Sequence, residues 1–190
     1  INAFTGTVPE CIGNLTQMLE LDFDSNQLTG PIPNTIGDMA SLELLYLWNN
    51  LLTNTIPNSI GRMSQMYDFE VNLNMLNGTI PMSIGDIAGL GCIDTFNNFL
   101  TGTIPTTILQ LSQLVEFNSA YNMHSGSIPP DIGVLSQIQI FVFLSNHLTG
   151  YIPASICNLT QMMTLEFNYN MLSGSIPHDI GSLVLLEDFS

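Results

Sequence analysis

LELLYLWNNLLTNTIPNSIGRM, residues 42–63, holds two patterns in one run. Leu45 and Leu47 alternate as one face of a short strand, and Asn50 closes it. Ile56-Pro57 then fixes an extended segment, and Ile60-Gly61 suits a single 3₁₀ turn. Such a unit is too small to bury its own apolar face, so it needs neighbours of the same kind.

Those neighbours are present. The unit returns every 24 residues without an insertion, beginning at Phe4, Leu28, Leu52, Leu76, Leu100, His124, Leu148 and Leu172. A proline stands five places on in all eight, from Pro9 to Pro177. An asparagine closes each preceding strand, from Asn2 and Asn26 to Asn170. If the rungs stack at about 4.8 Å, eight give a rod roughly 40 Å long. The repeated asparagines are then expected to bond backbone groups that each bend leaves unpaired.

Together with GCIDTFNNFLTGTIPTTILQL at residues 91–111, this string resembles the plant-type leucine-rich repeat, LxxLxLxxNxLTGxIPxxIGxL. The resemblance covers the whole chain. Departures are Asn54 in the first glycine slot, Leu109 and Cys157 in the second, and His124 where Leu is usual. It implies a right-handed α/β-type solenoid with short parallel strands on a concave face and 3₁₀ turns and loops on a convex one. Residues 1–190 then form one segment of about eight repeats without caps, part of a longer chain or assembly.

Charge narrows the partners. Sixteen acidic residues face one basic residue, Arg62, for a formal charge of −15, which argues against nucleic acid and anionic membranes. No apolar run approaches the roughly 18 residues of a membrane helix; the longest candidate, residues 138–144, is strand-sized. No segment in this window therefore inserts into a membrane.

Residues between the inward leucines are expected to face outward and to carry function. Leu44, Tyr46 and Trp48 make one rung apolar on that face; Ile140, Val142 and Leu144 do so four rungs on. With Phe96, Tyr121 and Tyr169 they are the candidate partner contacts, since exposed apolar clusters and aromatic anchors mark binding surfaces. Glu20, Asp22, Asp24, Asp68, Glu70, Asp94, Glu116, Glu166 and Asp188 share the face. Glu70 and Asp94 fall in one column about 5 Å apart, a repulsion that Ca²⁺ would relieve, although no calcium-loop signature accompanies them.

No catalytic constellation emerges. His124, His147 and His178 lack a second metal ligand at suitable spacing, and Cys11, Cys92 and Cys157 lie on rungs too far apart for a disulfide. No cofactor is expected beyond N-linked glycans at the sequons of Asn14, Asn77 and Asn158. With the resemblance, these sequons favour a secreted or cell-surface location. The expected function is non-enzymatic recognition of a protein, peptide or glycan through the strand face. The alternative is an extracellular structural protein that associates head to tail into filaments. A hydroxyl-rich line, Thr5, Thr29, Thr53, Asn77, Thr101, Ser125, Thr149 and Ser173, with a second two residues on, raises ice binding as a lesser reading; Pro31 and Tyr151 interrupt it.

Overall fold

In the computed structural model, which describes residues 2–190, each repeat makes one coil of a parallel-stranded solenoid. Strands Glu20–Asp22, Leu44–Tyr46, Asp68–Glu70, Cys92–Asp94, Glu116–Asn118, Ile140–Val142, Thr164–Glu166 and Asp188–Phe189 form one eight-stranded sheet in chain order. Pairing advances 24 residues per rung, so Glu20 meets Leu44 and Leu44 meets Asp68. The middle residue of each strand points inward: Leu45, Phe69, Ile93, Phe117, Phe141 and Leu165 are fully buried. The flanking residues form two columns on the opposite, concave side.

At the end of each strand the chain turns through a residue with positive φ, from Ser25 to Tyr169, and the asparagine follows it. Asn74 shows what the asparagine does. Its Oδ1 accepts the Leu52 N–H at 2.9 Å, while its Nδ2 donates to the carbonyls of Leu47 at 2.9 Å and Val71 at 3.1 Å. Asn50, Asn98, Asn122 and Asn146 repeat the pattern, so one buried amide ties each rung to its predecessor.

A second layer follows. Its strands, Thr5–Thr7 to Phe99–Thr101 and then Ser125–Gly126 to Met171–Leu172, form five- and three-stranded sheets. The N–H groups of Met123 and Ser125 still reach the carbonyls of Leu100 and Gly102 across the junction, at 2.7 and 2.8 Å. Pairing here advances 22 residues, setting Thr7 beside Thr29 and Thr79 beside Thr101. The two hydroxyl lines expected from the sequence therefore interleave. Many of these groups serve the scaffold: Thr29, Thr101, Thr149 and Ser173 donate to glycine carbonyls one rung back, at 3.0–3.3 Å.

Each coil closes on the convex side with a 3₁₀ turn, such as Asn34–Asp38 or Met82–Asp86. Thr35, Ser83 and Thr107 bond these turns by donating to the carbonyls of Glu10, Asn58 and Met82 at 2.6–2.8 Å. The turns stack so closely that a Cβ on Gly37 or Gly85 would strike the carbonyl of Ser59 or Thr107. Leu109 and Cys157 occupy that slot elsewhere, and the following turn gives way. Both next rungs carry Asp, Asp131 and Asp179, and their turns, Ile132–Val134 and Ile180–Ser182, start later and have three residues instead of five.

Candidate ligand-binding face

The concave sheet displays two columns. One runs Glu20, Leu44, Asp68, Cys92, Glu116, Ile140, Thr164, Asp188; the other runs Asp22, Tyr46, Glu70, Asp94, Asn118, Val142, Glu166. Glu70 does lie beside Asp94 in register. The only basic side chain, Arg62, sits on a convex turn and pairs with Asp38 at 3.0 Å, so no Lys or Arg offsets the acids of this face.

Crowding shapes their chemistry. Tyr46 donates its hydroxyl to Asp68 Oδ2 at 2.9 Å, and burial followed by this bond holds the phenol well above its usual range. Burial, then the Asp68 and Asp94 charges, pushes Glu70 up to about 7. Asp94 rises to about 6 through burial, opposed by the Phe96 N–H at 2.9 Å. Burial also raises Glu116 and holds the Cys92 thiol protonated.

Among the described residues one compact donor group results: atoms of Asp68, Glu70 and Cys92 lie within 4.8 Å of one another. Asp94, expected as a calcium ligand with Glu70, is outside it. Two carboxylates and a protonated thiol do not match the six to eight oxygens that Ca²⁺ takes.

Of the predicted contact residues, Leu44, Tyr46, Trp48, Phe96, Ile140 and Leu144 are half-buried on the face, and Tyr121 and Tyr169 are exposed. Val142 is a correction: it is only 9% exposed, between Asn118 and Glu166. Ala120, expected outward, is likewise buried. Alternation fixes which way a side chain points, but on an inward-curving face longer neighbours close over a short one. The sequon residues Asn14, Asn77 and Asn158 are all exposed; the cysteines are unpaired, with Cys11 exposed and Cys157 buried.

The rim of this face holds what the sequence reading missed. The residue after each ladder asparagine is exposed, and at Leu51, Met75, Phe99, Met123 and Met171 it is large and apolar. Phe96 and Tyr121 meet edge to face, with ring centroids 5.5 Å apart, joining the concave columns to the rim. Beside them lies an open groove of about 590 Å³ lined by Phe99, Tyr121, Met123, His147 and Tyr169. A column of apolar residues at one fixed slot of the repeat was the available signal.

The fold and its face define a class: a repeat scaffold that presents a continuous strand surface. A model of the Leucine Rich Repeat family matches residues 17–39, 41–63 and 161–183. Over 49 residues, 25% of the chain, it is 43% identical to the LRR receptor-like serine/threonine-protein kinase GSO2 of Arabidopsis thaliana, a match spanning 4% of that protein. It superposes on the Arabidopsis HAESA LRR ectodomain, solved with an N-terminally extended IDA peptide hormone, with a TM-score of 0.95 and 28% identity, covering 98% of this chain and 31% of that one. On the SOBIR1 receptor kinase ectodomain of Arabidopsis thaliana the TM-score is 0.64 at 31% identity, over 67% of this chain and 71% of that one. The chain belongs to the leucine-rich-repeat family in its plant-type form. It spans about a third of the HAESA ectodomain and a small part of GSO2.

Proposed function

We propose that this chain is a non-enzymatic, extracellular recognition module that takes a protein or peptide on its concave strand face. The superposition on an ectodomain whose structure holds a peptide hormone carries this reading. The half-buried aromatic rung supports it, because Tyr46 and Trp48 present large rigid surface at small cost in side-chain entropy. Glycans at Asn14, Asn77 and Asn158 accompany the extracellular location.

The test is capture of secreted proteins and peptides from extracellular fluid by the immobilised chain, compared with Tyr46→Ser/Trp48→Ser. A partner held by the wild type and released by the variant is expected. An identical captured set on both surfaces, with both proteins folded, sinks the reading.

A further inference from the structure

The rim stripe and the acids of the concave columns have opposite chemistry and share the rungs of Met75, Phe99, Met123 and Met171, whose strands display Asp68 and Glu70, Asp94, Glu116 and Glu166. Phe99 follows the strand of Asp94, and Met123 follows the strand of Glu116. Phe99 is 52% exposed and Met171 58%, too much large apolar surface at one repeated slot for scattered surface hydrophobics. From Leu51 to Met171 the slot crosses six rungs, apolar on five and His147 on the other, a span of about 24 Å at the strand spacing, or about seven residues of extended chain.

We propose that this rim binds an extended cationic segment of a partner polypeptide, with apolar side chains along the stripe and lysines or arginines turned onto the acidic columns. The inference rests on the recognition reading above and specifies its ligand. Charge complementarity selects the occupant. A second copy would bring another −15 against this one, and an anionic lipid surface or nucleic acid is repelled in the same way. The stripe is one side chain wide, which suits a single strand-like segment more than a flat protein surface. Phe96 packed on Tyr121 supplies a ready wall where the stripe meets the face.

The experiment pans a displayed library of random dodecapeptides on the purified chain. Enriched sequences are synthesised with a fluorophore and titrated by anisotropy. Enriched peptides are expected to combine Lys or Arg with Leu, Met, Phe or Ile. Phe99→Ser/Met123→Ser should weaken them by roughly tenfold or more. Asp94→Asn/Glu116→Gln should weaken them too, and so should added NaCl, because part of the attraction is screened. All four side chains are exposed or half-exposed, so circular dichroism should confirm an unchanged fold.

Enrichment of neutral or acidic peptides overturns the proposal, as does a library that yields no binder. Cationic peptides that ignore the rim variant but are lost with Tyr46→Ser/Trp48→Ser overturn the rim assignment and leave concave-face recognition standing. An identical captured set on the wild type and on Tyr46→Ser/Trp48→Ser, with cationic peptides still bound at the rim, does the reverse.

Discussion

Asn98 concentrates what a single residue contributes here. Its amide accepts the Leu76 N–H at 2.9 Å and donates to the carbonyls of Val71 and Thr95 at 3.0 and 3.2 Å, all in the interior. Replacing it with Ala leaves several buried backbone groups without partners, and each costs about 1–3 kcal/mol. Asn98→Ala should therefore lose about 2–5 kcal/mol in a denaturant melt; a loss under about 1 kcal/mol would mean that water replaces the amide freely. Gly102 is constrained twice. Its φ of 76° disfavours any side chain, and an added Cβ would lie 2.6 Å from Thr79 Cγ2. Gly102→Ala should cost about 1–3 kcal/mol, and adding Thr79→Ser should recover only part, because the backbone strain remains. Full recovery would assign the whole cost to the methyl contact. Asn54, in the same slot at φ 65°, is the substitution this backbone tolerates, since Asn is at home in the left-handed region.

At the scale of elements, two neighbouring strand ends have exchanged apolar core residues for a polar relay. Thr95 Oγ1 meets Ser119 Oγ at 2.7 Å, and Ser119 Oγ meets His124 Nε2 at 2.7 Å; all three residues are fully buried. Neutral hydrogen bonds of this kind contribute little net stability when complete and much instability when broken. Ser119→Ala should cost about 1–3 kcal/mol by stranding the imidazole, and His124→Leu added to it should restore most of that. Additive costs in the four-protein melting cycle would show that the relay is not coupled. His124 was readable in advance as a histidine in a leucine slot; its link to Ser119 was not, because it depends on the bend between them, and Thr95 joins the relay only when the preceding rung stacks on theirs. The same distinction runs through the molecule. Coil, ladder and inward leucines follow from a 24-residue register, which is local information repeated eight times. Burial of Val142 depends on which side chains curve over it, and the rim stripe lies beyond the bend, where strand alternation no longer applies.

For the whole molecule, charge and burial set two opposed pH dependences. Glu70 and Asp94 are raised from 4.5 and 3.8 to about 7 and 6, so the folded chain holds their protons more tightly than the unfolded chain does. Their contribution favours the fold at low pH and is lost as pH rises through 6 to 7. His124 has the opposite sign. Burial lowers it from 6.5 to about 4; the Gly102 and Thr101 carbonyls oppose this, although neither makes a hydrogen bond to Nδ1. The unfolded chain takes up that proton first, so stability falls as pH drops from 6.5 through 4, by up to about 3 kcal/mol for the full shift. In the wild type the two trends overlap and should flatten the profile of melting temperature between pH 8 and pH 4. Variants should separate them. Glu70→Gln/Asp94→Asn removes the acid-side gain, so its melting temperature should be higher than wild type at pH 8 and fall steadily on acidification. His124→Leu removes the acid-side loss, so its melting temperature should climb as pH falls from 8 to 5. Parallel profiles for all three proteins would contradict the assignment and place the pH dependence in the remaining acids, which added salt would then screen.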